Sequence, residues 1–259
     1  MRAKLGQHFL INRSIIQRII QSLVTQAGET IIEIGPGNGA LTIPLAKNCV
    51  ANNCNVIAIE KDKDLYAQLI GRSLPNSQLV RGDAIEELAK ITEQITTPYK
   101  IVGNIPYYIT GKLLRAISEL KVKPTLSVLM IQQEVGERLS AQPPEMNLLA
   151  AATQIWAKPR VVARLEPKDF SPPPKVHSVV IALETKTNLP TSAELKKYYE
   201  CVRILFKQPR KTILNNLRSA LEIPKNELES ILEKLNIDPL ARPQTLSVPT
   251  IKQLSELLT

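Results

Sequence analysis

The stretch TIIEIGPGNGALTIPLAKN, residues 30–48, decides the fold class of this 259-residue chain. Residues 30–34 are mostly apolar and end at a glycine, which is typical of a short buried strand. The run GPGNG at 35–39 then predicts a turn, and residues 40–48 have the spacing of a helix. This order opens many nucleotide-binding α/β folds, because glycines let the backbone approach a ligand closely.

The alternation of strands and helices continues along the chain. Asn12 is expected to cap a first helix, and residues 154–165 and 176–184 predict an antiparallel pair of strands. The other predicted strands lie at 55–59, 78–81, 100–103 and 125–131. Strands that alternate with helices favour a mostly parallel sheet. We therefore predict an α/β fold with a mostly parallel seven-stranded sheet.

Strand patterns stop near residue 186, where the chain turns polar. The remainder predicts only helices, with a core that contains Cys201, Leu205, Leu214 and Leu217. We predict an α/β domain over residues 1–187 and a small all-α domain over residues 188–259.

Composition limits the function classes. The chain has 33 Lys and Arg against 24 Asp and Glu, a formal net charge of +9 that favours a polyanionic partner such as nucleic acid or an anionic membrane surface. The apolar run at 148–157 is interrupted by polar residues and is too short to span a bilayer, and the N-terminus has no apolar signal core. A cytoplasmic protein without membrane segments is expected.

The three cysteines, Cys49, Cys54 and Cys201, are odd in number and form no CxxC motif. With only two histidines in the chain, neither a disulfide framework nor a metal site is indicated. We expect reduced thiols in a reducing compartment.

Two carboxylates follow the glycine turn at the ends of the next strands. Glu60 can accept hydrogen bonds from both ribose hydroxyls of a nucleoside, and Asp83 can meet the amine of an adenine ring. Each could also be an ordinary polar residue at a strand end, but their occurrence together favours a ligand crevice. The GPGNG turn departs from the dinucleotide fingerprint GxGxxG, which argues against NAD.

The stretch VGNIPYYI, residues 102–109, ends the fourth strand beside the same crevice. The Asn104 oxygen and the Ile105 carbonyl can accept hydrogen bonds from an amino-bearing base, and Tyr107 can stack on its ring. Tyr108 is expected to pack. The alternative is a simple strand-to-helix turn. Beside the glycine turn, the stretch suits S-adenosylmethionine-dependent methyl transfer to an amine held by Asn104, which needs no metal.

Motifs along nearly the whole chain then point to one family. They are GQHFL at 6–10, EIGPGNGALT at 33–42, IEKD at 59–62, GDA at 82–84, GNIPYYI at 103–109, QQEVGERL at 132–139, FSPPPKVHSVV at 170–180, RKTILNNL at 210–217 and RPQTLS at 242–247. The chain resembles the ribosomal RNA adenine dimethylases, and within them the bacterial small-subunit (16S) enzymes.

The resemblance implies a Rossmann-like methyltransferase domain with S-adenosyl-L-methionine as cofactor and a helical C-terminal RNA-binding domain. It also implies transfer of two methyl groups to N6 of each of two adjacent adenosines near the 3′ end of small-subunit rRNA. The substrate would be the immature 30S subunit. Separately from the resemblance, we expect a monomer. His177 and the segment 142–153 depart from the family pattern, which leaves RNA contacts of that segment open.

The resemblance also implies residue roles. Tyr107 would stack on the flipped adenine and Phe170 would be the opposing ring. Asn104 would belong to both the base site and the cofactor site. The cofactor contacts would be His8, Leu10, Gly35, Glu60, Asp83 and Asn104.

The start of the C-terminal region is basic and is predicted to grip RNA phosphates, although a merely solvated face is the alternative. Its cations are Lys196, Lys197, Arg203, Lys207, Arg210 and Lys211.

Three other functions compete with this interpretation. One is dimethylation of a large-subunit (23S) adenine, which confers macrolide resistance; another is a non-catalytic ribosome-assembly or transcription factor on the same fold. The turn GPGNGALT and the run RPQTLS favour the small-subunit enzyme. A DNA adenine methylase would ordinarily need a larger recognition domain.

Overall fold

The computed structural model describes residues 8–258 and divides the chain into two compact units. The first unit comprises residues 1–136 and 158–185, and the second comprises 137–157 and 186–259. Sequence reasoning placed one boundary at 187–188 and assigned 137–157 to the first part.

Apart from three short elements that were not predicted, the elements follow one another in the order that the sequence patterns predict. In chain order they are β1 (Phe9–Leu10), α1 (Arg13–Leu23), β2 (Thr30–Ile34), α2 (Thr42–Asn52), β3 (Asn55–Glu60), α3 (Lys63–Ile70), β4 (Ser77–Arg81), α4 (Ala84–Gln94), β5 (Tyr99–Asn104), α5 (Thr110–Glu119), β6 (Leu126–Gln132), α6 (Gln133–Leu139), α7 (Leu148–Gln154), β7 (Ala157–Leu165), β8 (Phe170–Ser171), β9 (Ser178–Thr185), α8 (Ser192–Leu205), α9 (Ile213–Arg218), α10 (Lys225–Lys234) and α11 (Val248–Leu257).

The first unit is built on a seven-stranded sheet with the order β4-β3-β2-β5-β6-β9-β7. The pairs β3–β4, β2–β3, β2–β5 and β5–β6 are parallel, and β9 runs antiparallel to β6. The predicted mostly parallel sheet is therefore confirmed. Because parallel strands end at the same edge, the turns after β2, β3, β4 and β5 share one side of the sheet.

Two local features position residues 9–12. Asn12 caps α1, as predicted, since its side chain accepts from the Ser14 and Ile15 amides. A second, two-stranded sheet pairs β1 with β8, so that Leu10 lies opposite Phe170. This small sheet was not predicted. The lead-in GQHFL begins outside the described residues, at Gly6 and Gln7.

The second unit is helical in its described part, apart from the first residue of β7. Thr191 and Glu194 form a capping box at the start of α8. The predicted core residues Cys201, Leu205 and Leu217 are buried, and Leu214 is 6% exposed. Burial raises the pKa of the Cys201 thiol to about 12, so this thiol stays protonated. Sequence reasoning missed α7.

The expectation of reduced thiols is wrong for two of the cysteines, since Cys49 and Cys54 form a disulfide. The reason is the local backbone. Asn53 ends α2 with φ +53°, and the Cys54 amide donates to the Cys49 carbonyl at 3.0 Å. The chain thereby returns on itself and brings the two Cα atoms to 4.5 Å.

Candidate active site

An open cleft lies where β2, β3 and β5 end, within the first unit. Its free volume is about 870 Å³, counted out into the solvent at its mouth. The polar residues of its lining are His8, Glu33, Asn38, Glu60, Asn104 and Tyr107.

The glycine turn after β2 forms one wall of the cleft. Gly35 and Gly37 have φ +67° and +59°, a conformation that L side chains rarely adopt. A Cβ on Gly37 would lie 3.0 Å from the Phe9 ring, which covers the turn. Glu60 then fixes the turn, because its Oε2 accepts from the Gly37 amide at 2.9 Å and its Oε1 from the Asp62 amide at 2.8 Å.

Asn104 lies at the end of β5 and lines the cleft with a fixed amide. Its Nδ2 donates to the His8 carbonyl at 2.8 Å. Within residues 8–258 its Oδ1 has no hydrogen-bond partner, so that oxygen can accept from a ligand. The neighbouring Ile105 amide donates to the Met130 carbonyl at 3.0 Å, which anchors the backbone behind it.

Tyr107 follows Asn104 in the lining of the cleft. Its hydroxyl forms a 2.8 Å hydrogen bond with Ser178 Oγ, which holds the ring at its outer end. The ring that faces it is His8, with centroids 6.4 Å apart and planes 27° apart. The His8 Nδ1 is in turn 2.8 Å from the Pro172 carbonyl. The structure therefore brings His8, Asn104 and Tyr107 together, as the sequence predicts.

Phe170 is not placed opposite Tyr107. Its side chain is 3% exposed, belongs to the core cluster that contains Leu10, and does not line the cleft. The pairing of β1 with β8 explains this burial, because it turns Phe170 toward the core beside Leu10. Leu10 itself is 4% exposed and does line the cleft.

Asp83 also lies outside the cleft lining. Its Oδ1 accepts from the Ile85 amide at the start of α4, and its Oδ2 lies 3.0 Å from Lys61 Nζ. The hydrogen bond from Lys61 lowers the pKa of this carboxyl. Tyr108 is 67% exposed, so the expectation that it packs is wrong; the residue lies in a turn of 3₁₀ helix that carries its ring outward.

Sequence reasoning missed one functional candidate, Glu33. It lies on the central strand β2, is 1% exposed and lines the cleft. Burial, together with repulsion from Glu60, raises the pKa of its carboxyl to about 8, although the Thr42 hydroxyl acts against this. The signal was present in the sequence as an acidic residue inside an otherwise apolar strand.

The cleft fits S-adenosylmethionine. Its turn offers backbone that only glycine leaves open, and Glu60 stands at the adjacent strand end for a ribose. Carboxyl groups of Glu33 and Glu60 line it, and no Lys or Arg is among the described lining residues. Such a lining suits a nucleoside that carries positive charge.

Comparisons with known proteins assign the family. The family model for ribosomal RNA adenine dimethylase matches residues 1–256. The chain belongs to this family. Dimethylases of this kind transfer methyl groups from S-adenosylmethionine to adenine in ribosomal RNA, and this chain is therefore an S-adenosylmethionine-dependent enzyme.

The similarity to relatives and to solved structures extends over nearly the whole dimethylase. Proteins named ribosomal RNA small subunit methyltransferase A are 34% identical in Dehalococcoides mccartyi strain CBDB1, over 98% of this chain and 87% of the relative, and 37% identical in Synechococcus sp. strain RCC307, over 95% and 92%. A dimethyladenosine transferase from Plasmodium falciparum is 25% identical with a TM-score of 0.76, over 95% and 96%. The 23S rRNA methyltransferase ErmE shares the fold, at 24% identity and a TM-score of 0.75, over 96% and 99%.

The six predicted RNA-binding cations of the dimethylase are all exposed in the second unit. Lys196, Lys197 and Arg203 lie on α8, and Lys196 and Arg203 are separated by two helical turns, so they share a face. Lys207, Arg210 and Lys211 occupy the connection between α8 and α9. This arrangement is compatible with contact to phosphates.

Residues 8–258 contain neither a membrane-spanning helix nor a cluster of metal ligands. No helix there is long and apolar enough to cross a membrane. No group of three or more His, Cys, Asp or Glu in that part of the chain could hold a metal ion.

Proposed function

We propose that this dimethylase methylates N6 of two adjacent adenosines near the 3′ end of small-subunit rRNA, giving N6,N6-dimethyladenosines during subunit maturation. Full-length relatives that carry the small-subunit name, at 34–37% identity, support this choice of RNA. The likeness to the 23S enzyme extends to the fold alone. The observation that carries the chemistry is the fixed amide of Asn104.

The Asn104 side-chain amide is oriented so that its oxygen can accept a hydrogen bond from a ligand. Because its Nδ2 is committed to the His8 carbonyl, its Oδ1 is left for the exocyclic amine of the target adenine. The Ile105 carbonyl is the second acceptor. The lone pair of that amine is delocalised into the ring, and two acceptors favour a more tetrahedral nitrogen that can attack a methyl group. These residues contribute by positioning and electrostatics.

The cofactor supplies an electrophilic methyl group on a sulfonium. We assign the cofactor contacts to the cleft wall: the backbone at Gly35, Leu10 and His8 at the lead-in, Glu60 for the ribose and Asn104 near the methyl group. In the structure without ligand, the Asp83 carboxylate is paired with Lys61. Asp83 would accept a hydrogen bond from the adenine amine after Lys61 releases the carboxylate oxygen that it holds. Each of the Glu60 oxygens already accepts one backbone hydrogen bond and can accept another.

Tyr107 is assigned to the face of the flipped adenine, because its ring lines the cleft beside Asn104 and is held by Ser178. Phe170 would have to leave the core to reach the opposite face of the base. Its contribution in the described arrangement is to support Leu10 through the pairing of β1 and β8.

The second unit supplies the phosphate grip. Its exposed cations and the net charge of +9 suit a large RNA substrate bound without sequence reading by this part of the enzyme. We further propose that the enzyme acts on the immature 30S subunit, as a monomer in the cytoplasm.

The experiment is transfer of labelled methyl groups from S-adenosylmethionine to purified immature 30S and 50S subunits. Label in the 30S rRNA and not in the 50S rRNA is expected. Label in 23S rRNA alone would establish the large-subunit function instead. No label in either, with cofactor bound, would favour the non-catalytic assembly factor.

A further inference from the structure

Tyr108 is the one exposed ring among the Phe, Tyr and Trp residues of the described range 8–258. It is 67% exposed, and its hydroxyl has no hydrogen bond within that range. It directly follows Tyr107, whose ring lines the cleft and whose hydroxyl is held by Ser178. An aromatic ring that stays in solvent beside a substrate cleft is available to stack on a base.

The turn that carries both tyrosines separates the directions of their rings. Residues Tyr107–Ile109 form a turn of 3₁₀ helix, in which successive side chains point about 120° apart. Tyr107 therefore faces the cleft, and Tyr108 points outward at its rim. Because neighbouring Cα atoms are about 3.8 Å apart, the two rings are close enough to take neighbouring nucleotides of an unstacked RNA strand.

Lys112 lies on the same side of the chain as Tyr108. The 3₁₀ turn continues directly into α5, so Lys112 follows Tyr108 by about one helical turn. The Lys112 side chain is exposed and has no ion pair within residues 8–258. A Cβ on Gly111 would meet no atom within 4 Å, so the surface at the start of α5 is open.

Two other cations near this rim are already paired with acids. Lys61 Nζ lies 3.0 Å from Asp83. Its hydrogen bond to Asp83 is the main reason why the pKa of Lys61 is raised, and Tyr108 is a smaller one, which shows that Lys61 lies near this ring. Farther along α5, Arg115 Nε lies 2.8 Å from Glu119. The unpaired lysine on α5 is therefore the cation that remains for a phosphate.

An exposed ring beside an unpaired cation has the chemistry that holds a single RNA strand, because the ring stacks on a base and the cation binds the backbone. We propose that Tyr108 and Lys112 form a second RNA-contact site at the rim of the cleft. The Tyr108 ring stacks there on the nucleotide next to the flipped adenosine, and the Lys112 ammonium binds a phosphate of the same strand. The proposal rests on the flipped adenosine at Tyr107 and not on the choice of ribosomal subunit.

Photo-cross-linking tests the position of the site. The full chain, with benzoylphenylalanine in place of Tyr108, is irradiated with S-adenosylhomocysteine and unmethylated subunits of the kind that the wild type methylates. Primer extension should then stop at a nucleotide next to the target adenosines. The same replacement of Val122, which is exposed beyond the other end of α5, is the control and should give no stop there.

Steady-state kinetics separates stacking from a structural role. Tyr108→Ala should raise KM for the subunit about 5- to 150-fold, the loss expected for one stacked base. Its kcat and its affinity for S-adenosylhomocysteine should not change, because the ring contributes to RNA binding alone. Tyr108→Phe keeps the stacking ring and should keep the wild-type KM.

The salt dependence of binding tests the phosphate contact. Lys112→Gln should reduce the slope of log affinity for the subunit against log salt concentration by about 0.7, the value for one phosphate of a single strand. The matched control is Lys121→Gln, an exposed lysine beyond the other end of α5, which should leave the slope unchanged.

A wild-type KM for Tyr108→Ala would overturn the inference, and so would a cross-link from position 108 to a ribosomal protein alone or to rRNA far from the target adenosines. Loss of kcat and of cofactor affinity in both Tyr108→Ala and Tyr108→Phe would show a structural role instead. In these cases methyl transfer by the wild type leaves the proposed function intact. Absence of methyl transfer by the wild type would reject the proposed function and the inference together.

Discussion

The strongest stability prediction concerns Glu33→Gln in the protein without cofactor. Folding raises the pKa of the Glu33 carboxyl from 4.5 to about 8, so the folded protein binds this proton more tightly than the unfolded chain does. Wild-type stability should therefore be highest below pH 4.5 as far as this group is concerned, and should fall as the pH rises from 4.5 to 8. Glutamine cannot ionise, so the variant should not share this loss.

The magnitude follows from the two pKa values. Between pH 5 and pH 8 the linkage amounts to roughly 3 to 4 kcal/mol of unfolding free energy. For a chain of this length that corresponds to a relative shift of roughly 10 °C in Tm.

The assay is thermal unfolding of wild type and variant side by side at pH 5, 6, 7 and 8, followed by circular dichroism. The Tm of Glu33→Gln minus that of wild type should increase steadily with pH. Because every other titrating group is common to both proteins, parallel Tm profiles would refute the assignment of a neutral buried Glu33.

Three further predictions concern other parts of the chain. Asn104→Ala should lower kcat/KM for methyl transfer roughly 100- to 1,000-fold, because the target amine loses an aligned hydrogen-bond acceptor. The control variant Asn52→Ala, at an exposed position, should keep the wild-type kcat/KM. Near-normal turnover of Asn104→Ala would contradict the proposed alignment. Lys100→Met removes the buried partner of Glu29, 2.7 Å away, and should lower the free energy of unfolding in urea by about 3–5 kcal/mol, because the Glu29 charge is left without a counter-charge. The double variant Lys100→Met with Glu29→Gln should recover most of this loss. A single variant as stable as the wild type would show that the ion pair is dispensable. In the second unit, replacing the two cations Lys207 and Arg210 by Gln should reduce the slope of log affinity for rRNA against log salt concentration by about 1 to 2. The control is Lys225→Gln, which disrupts an exposed ion pair with Glu229. An unchanged slope in the double variant would show that Lys207 and Arg210 do not contact the RNA.

The strand ends of the first unit could be predicted from sequence because local signals there agree. Residues 30–34 form the predicted strand without any shift, and the turn that follows needs the glycines at 35 and 37 for its positive φ values. Glu60 ends its strand at the carboxyl edge, where it meets the turn. The apolar strands, the glycine turn and the carboxylate at the strand end each indicated a ligand site at the carboxyl edge of the sheet.

Contacts between distant segments could not be predicted. The burial of Phe170 depends on a two-stranded pairing with residues 9–10, and such short strands leave no periodicity. The engagement of Asp83 with Lys61 depends on the rotamer of an exposed lysine. The positions of the Phe170 and Asp83 side chains depend on tertiary contacts, which their own sequence motifs do not indicate.

The disulfide and the orientation of Tyr108 have the same kind of origin. Bonding of Cys49 to Cys54 requires the left-handed residue Asn53 between helix and strand, which the cysteine spacing alone does not reveal. Tyr108 is carried outward by a single turn of 3₁₀ helix.

The proposed activity is dimethylation of small-subunit rRNA with the Asn104 amide as the acceptor for the target amine. The most direct measurement is mass-spectrometric mapping of nucleosides in 16S rRNA after reaction of immature 30S subunits with the enzyme and S-adenosylmethionine. We expect two adjacent N6,N6-dimethyladenosines near the 3′ end with the wild type and none with Asn104→Ala. Unmodified 16S rRNA beside dimethyladenosine in 23S rRNA, or equal modification by the variant, would contradict it.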